Sequence, residues 1–190
     1  MTEPSCADLA DRFDAYGPAT ATPGHLRALT GADLEARGRA VRHLWSAVLH
    51  QGTPATVTPG AVRYLLAVLP DLWVDRATAL EVLALLELVA REGTVPHEPR
   101  SALEASVAAH PDAEDVLRAL TAAGREDDFY DSPELTGALL ARAALGCRDV
   151  QADVVMALDA LPAVADEREE AVRRARAAAA RVVGASRGDG

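Results

Sequence analysis

Pro54-Ala55-Thr56-Val57-Thr58-Pro59-Gly60 leads into the apolar segment Ala61–Leu69, and it has a near copy upstream. The copy is Pro18-Ala19-Thr20-Ala21-Thr22-Pro23-Gly24, followed by His25–Leu29, and Pro59 lies 36 residues after Pro23. Self-similarity at a period of this size is the mark of stacked repeats. Each copy reads as a helix start. Thr22 and Thr58 are N-cap residues, because a hydroxyl accepts from an orphan backbone N–H. Pro23 and Pro59 then take the first helical position, where a missing N–H costs nothing. Looser echoes follow at Pro96 and Pro133, each 37 residues after the start before it, the last with Ser132 as N-cap.

Working outward, each start opens an apolar pattern at helical spacing. A short helix at Pro23–Leu29 is followed by a long one over about Asp33–Leu49, stopped by Gly52. Val62, Leu65, Leu66 and Leu69 form one face of the next helix, closed by Pro70. The segment Val74–Arg91 is apolar nearly all round, which places it in the centre of the structure. Two further pairs are expected at 98–123 and 133–160, the last divided at Gly146. Ser5-Cys6-Ala7-Asp8 reads as a capping box opening a helix that ends at Gly17. A final helix over 166–183 carries acids in its first turns and arginines in its last, the order that complements the helix dipole. The expectation is an all-α chain: an α-solenoid of about four helix pairs (22–52, 58–93, 96–124, 132–161) with capping helices at 5–17 and 166–183 and a loose tail at 185–190.

Composition narrows the function. Hydrophobic residues make up 49% and aromatics only 4%, so the core is built from Leu, Val and Ala. The 19 basic residues are all arginine, the usage of a GC-rich genome. A net charge of −10 argues against nucleic-acid binding, which needs a basic face to displace counterions. No apolar run is long enough to span a membrane. Met1–Asp14 has no apolar signal core, so a cytoplasmic protein is expected. Cys6 and Cys147 stand apart from each other and from any ligand-spaced histidine, so neither a metal nor another cofactor is expected. No P-loop, dinucleotide fingerprint or nucleophile elbow is present, and no catalytic residues are assigned.

His43-Leu44-Trp45-Ser46-Ala47-Val48-Leu49-His50-Gln51-Gly52-Thr53, with Ala55-Thr56 and the helix after it, resembles the HEAT-repeat-like proteins common in actinobacteria. The resemblance covers roughly residues 22–69. It implies an α-solenoid that binds a partner along its concave face, and it brings no catalytic motif.

In such a stack the second helix of each pair lines the concave side. The expected binding face is Arg39, His43, Ser46 and His50, then Thr78, Glu81, Leu85 and Leu88, then Asp115 and Arg118, then Met156 and Asp159. A protein or peptide partner of mixed charge suits it. A second candidate is the acidic loop around Asp127, Asp128, Phe129 and Tyr130, a contact patch for a basic partner. Two alternatives stay open. Arg39, His43, His50 and Glu81 are candidates for a small-molecule or enzymatic site, although the two histidines are about 10.5 Å apart along a helix and cannot share one metal. The acidity also suits an immunity-type inhibitor of a basic effector.

Overall fold

The 36-residue self-match is also a match of backbone structure, and the unit it repeats contains a β-hairpin. The computed structural model describes residues 5–92 and 98–160, apart from the side chains of 90–92, 155 and 158–160. Strands β1 (Phe13–Asp14) and β2 (Gly17–Pro18) form a hairpin leading into helix α1 (Thr22–Ala28). Helix α2 (Leu34–His43) passes into a π-helical turn over Leu44–Val48. Strands β3 (Leu49–His50) and β4 (Thr53–Pro54) then form a second hairpin, leading into helix α3 (Thr58–Leu72). The registers coincide at the repeat offset. Phe13 pairs with Pro18 as Leu49 pairs with Pro54, and Asp14 faces Gly17 as His50 faces Thr53.

The two turns reach this shape by different chemistry. In the second, Gln51 and Gly52 both have positive φ, at 52° and 84°, the signature of a type I′ turn, whose twist suits a two-residue hairpin. In the first, the Asp14 carboxylate accepts from the Tyr16 backbone N–H at 2.8 Å, an Asx-type turn. The hairpins lie side by side, joined by Val57 N–H to Phe13 O at 3.1 Å and Ala15 N–H to Ala47 O at 2.9 Å.

Several local expectations are corrected here. The first segment is a 3₁₀ turn over Ala7–Asp11 followed by the hairpin, not a capped helix over 5–17. Thr22 and Thr58 lie inside their helices and their hydroxyls cap neither. The buried Thr58 hydroxyl instead donates to the Val48 carbonyl and accepts from Ala55 N–H, clamping hairpin to helix. Asp33 does cap α2, accepting from Glu35 and Ala36 N–H at 2.9 and 3.2 Å. The long helix ends in the π turn, so Leu49 and His50 are strand residues. Pro70 sits within α3, whose last turn continues to Leu72.

The remaining helices are α4 (Arg76–Glu92), α5 (Arg100–Ala109), α6 (Ala113–Ala122), α7 (Glu126–Tyr130), α8 (Pro133–Asp149) and α9 (Gln151–Ala160). The described residues are thus mostly helical, an all-α fold carrying two minimal hairpins among them. Ser132 caps α8 through Leu135 N–H, but α7 rather than a hairpin precedes that start. The start at Pro96, the helix over 166–183 and the tail lie outside the described residues.

The main core joins α1 to α4 with Cys147, Val150 and Val154. A second cluster packs Phe13 and Phe129 on Leu117 and Ala138. Gly146 does not divide α8, which runs unbroken. A Cβ there would meet the Pro59 ring at 2.5 Å, so the glycine allows α3 and α8 to approach. Among the described residues no helix is long and apolar enough to cross a membrane.

Candidate functional site

A partly enclosed cleft of about 270 Å³ lies where the two hairpins meet α6, α7 and α8. β1 contributes Phe13 and Asp14, and the second hairpin contributes His50, Thr53 and Pro54. Leu117 of α6, Tyr130 of α7, and Thr136, Leu139, Leu140 and Ala143 of α8 complete the wall. The repeat explains the arrangement. Asp14 and His50 hold equivalent positions in hairpins lying side by side, so duplication brings a carboxylate and an imidazole to one cavity.

The rim is unusually apolar for an exposed surface. Tyr16, Tyr130 and Leu140 are 70%, 52% and 42% exposed. Tyr130 and Leu140 line the cleft, and Tyr16 stands edge-on to the His50 ring, with centroids 5.6 Å apart. The His50 Nδ1 donates to the Ser46 carbonyl at 2.9 Å, which makes Nε2 the nitrogen free to meet a ligand. Burial pushes the Asp14 carboxyl above its ordinary pKa, against the pull of the Tyr16 and Gly17 N–H groups. Burial, aided by the negative charges of Glu126 and Asp14, likewise raises Tyr130. Perturbed groups gathered in a cleft mark a functional site more often than chance. Among the described residues Asp14, His50 and Tyr130 make no hydrogen bond to one another.

Beneath the cleft Glu114 is buried between two guanidiniums. Arg12 Nη1 lies at 2.9 Å and Arg142 Nη1 at 3.0 Å from its Oε2. Burial works to raise the Glu114 pKa, but the Thr56 hydroxyl and the two arginines outweigh it and hold the carboxyl below its ordinary value. The group ties the segment before β1 to α6 and α8.

The residues expected to form one concave stripe are distributed over several surfaces. Ser46, Thr78 and Glu81 line an open trench of about 880 Å³ between α2 and α4, with Leu34, Arg42 and Trp45. Trp45 Nε1 donates to Glu81 at 2.9 Å, and the nearly buried Thr78 hydroxyl turns to Asp75. Arg39 pairs with Glu35 on the outer surface. His43 faces α1, stacked on His25 with its Nε2 2.8 Å from the Thr22 hydroxyl. His50 lines the cleft instead, because the π turn shifts the helical phase and the strand then breaks it. Arg39, His43, His50 and Glu81 therefore form no common site, and among the described residues no group of metal-ligating side chains assembles.

Leu85 is fully buried and offers no contact, whereas Leu88 is partly buried and packs against the core. Asp115 is exposed on α6. Arg118 lies over the Phe13 ring and donates to the Asp11 carbonyl at 2.7 Å. Met156 is exposed on α9 beside Arg63 and Asp153; the side chain of Asp159 lies outside the described residues. The acidic segment is helix α7 rather than a loop. Its Phe129 is buried in the second core cluster, and Asp127, Asp128 and Tyr130 are exposed.

Asp14, Tyr16 and Thr56 were absent from the sequence-based candidates. Their signal was the repeat itself: the segments ending in Gly17-Pro18 and Thr53-Pro54 are turn punctuation at matched positions. No known protein family, curated protein or solved structure matches this chain.

Proposed function

We propose that this protein is a non-enzymatic binding module that holds an extended segment of a protein partner, anchoring one side chain in the cleft between the hairpins and α8. The observation that carries the reading is the gathering of Tyr16, Tyr130 and Leu140 around one small cleft. Binding hot spots pair aromatic rims with pockets that exclude water from a single anchor. The cavity lies just below the usual size of about 300–1,000 Å³ for small-molecule sites, which favours a side chain over a whole cofactor. The HEAT-like solenoid belongs to this proposal. It is supported by two successive helix pairs, α1 with α2 and α3 with α4, each opened by the same Thr-Pro-Gly start. The partner surface is then the hairpin edge of the stack. An acidic inhibitor of a basic effector is one form this module could take in the cell.

The test is a random peptide library panned on the immobilised protein, with each enriched peptide then titrated against wild type and Leu140→Gln. Leu140 is partly exposed, so the substitution spares the core. Loss of its apolar contact is expected to weaken cleft-bound peptides about tenfold. Enriched peptides that bind both proteins with equal affinity would refute the cleft as the binding site.

A further inference from the structure

The charges around the cleft define the chemistry of the anchor. Asp14 lines the cavity, and its carboxylate accepts only from backbone N–H groups of its own turn. Among the described residues it makes no ion pair, although two arginines lie close by in the fold. Arg12 is held by Glu114, and Arg118 by the Asp11 carbonyl and the face of Phe13. His50, on the neighbouring strand, has its Nδ1 directed to Ser46 O. From α7 the groups beside Asp14 add negative charge or none: Glu126 and the neutral Tyr130. Asp127, Asp128 and Asp131 are exposed along the same short element and its end. Only Asp128 has a cationic partner there among the described residues, Arg125. The cleft therefore presents a half-buried carboxylate with no counter-ion among the described residues, next to the acidic helix α7, on a chain of net charge −10.

Two further features select among cations. The walls formed by Leu117, Leu139 and Ala143 are aliphatic, and suit the methylene stem that a long basic side chain lays along apolar surface. The rim rings of Tyr16 and Tyr130 are exposed, and a planar guanidinium stacks on aromatic faces where an ammonium makes only a point contact.

We propose that the anchor is the side chain of an arginine in an extended segment of a protein partner, with Asp14 as its counter-charge and Tyr16 and Tyr130 as flanking rings. This rests on the reading of the cleft as a binding site. The negative field of the whole chain would speed the encounter, and salt would weaken it.

The probes are three capped pentapeptides, Gly-Gly-X-Gly-Gly, in which X is arginine, its neutral isostere citrulline, or norleucine. Each is titrated into the full chain at low salt and followed by amide chemical shifts and calorimetry. The arginine peptide is expected to shift the hairpin and α8 resonances and to bind at least about tenfold more tightly than the citrulline peptide, a difference of about 1.4 kcal/mol. Asp14→Asn should reduce the arginine affinity to the citrulline level and leave the citrulline affinity unchanged, which is the signature of a direct pair. Asparagine keeps the Oδ1 acceptor for Tyr16 N–H, so the turn survives, and the Tyr16 amide shift reports whether it has.

Equal binding of all three peptides, insensitive to Asp14→Asn, would overturn the cation assignment and leave the binding cleft standing. So would a Leu140-dependent library consensus without arginine. No shift with the arginine peptide at millimolar concentration overturns the assignment outright, and a library with no Leu140-dependent binder removes the cleft reading as well. Sedimentation of the full chain separates the remaining occupant: self-association abolished by Asp14→Asn would assign the cleft to a second copy of this chain, and would overturn the partner.

Discussion

Gly146→Ala and Gly137→Ala place the same substitution in the same helix and are expected to change stability in opposite directions. Replacing a mid-helix glycine with alanine is worth up to about 1 kcal/mol through backbone entropy. At Gly137 a new Cβ meets nothing within 4 Å, so the whole gain is realised. At Gly146 the new Cβ would fall 2.5 Å from Pro59 Cγ and 3.1 Å from its Cβ. The proline ring cannot rotate away, and it is buried at the start of α3, with Thr58 beside it clamped to the second hairpin. Either α8 or α3 must shift, and inserting a methyl into a packed contact of this kind costs about 1–3 kcal/mol. The clash wins, for a net loss of about 1 kcal/mol, whereas Gly137→Ala gains about as much. For a chain of this size 1 kcal/mol moves Tm by about 2–4 °C. Thermal unfolding of both variants beside wild type reads the difference directly. A Gly146→Ala protein that melts as high as Gly137→Ala would show that α3 and α8 do not approach at Pro59, and the placement of the cleft wall would fall with that contact.

Three further outcomes are expected. Thr58→Val removes a buried hydroxyl that satisfies the Val48 carbonyl and Ala55 N–H; urea denaturation should show a loss of about 1–3 kcal/mol, and Thr58→Ser should restore most of it. Glu114→Gln leaves Arg142 and Arg12 without their shared carboxylate; a loss of about 2 kcal/mol is expected, below the ~3–5 typical of a fully buried pair because Arg12 is half exposed. Because the folded state holds the Glu114 carboxyl below its ordinary pKa of 4.5, that stabilisation is present above pH 4.5 and is lost as the pH falls below it. Burial and the neighbouring His25 ring lower the His43 pKa from 6.5 to about 4. The unfolded chain therefore binds that proton first, and stability present above pH 6.5 is lost as the pH falls toward 4; denaturation midpoints measured across this range should fall less steeply in His43→Gln.

The longer helices were legible because they carry apolar stripes of two turns or more, as in α3 and α4, and because Asp33 and Ser132 announce their starts. The hairpins were not. A strand of two residues is too short to show alternation, and Phe13 at helical spacing from Leu9 imitates a helix face. The π turn was hidden for a related reason. Leu44–Val48 has an unbroken helical composition, and the partners that take its last carbonyls, Ala15 N–H on Ala47 O and the Thr58 hydroxyl on Val48 O, are distant or out of helical register in the sequence. Extending the helix through it carried the phase of His43 on to His50 and merged two surfaces into one stripe. The site is largely built by these illegible elements, which is why its carboxylate was missed; Tyr130 was found through the acidic run around it, read as a loop.

The two copies of the repeat share the buried Thr-Pro helix start and differ at two hairpin positions by the cleft, where Asp14 and Tyr16 correspond to His50 and Gly52. Thr22 and Thr58 are fully buried, and Pro23 and Pro59 are buried with them. At these positions the helix starts must fit beneath a hairpin, and a change of side chain would cost packing on every side. Asp14 and His50 occupy equivalent hairpin positions under no such constraint, since both border open space. Tyr16 similarly stands where the other copy has Gly52, whose positive φ closes the tighter turn. A duplicated scaffold that keeps its buried helix starts can vary single hairpin residues at a shared cavity without refolding. In this chain the variation has placed an acid, an imidazole and an aromatic ring around one small opening. The second hairpin closes with neither the acid nor the ring, and in the first the ring is not needed for the turn, which Asp14 holds through Tyr16 N–H. What their placement supports is the proposed capture of a ligand group, for which the charge of Asp14 favours a cation.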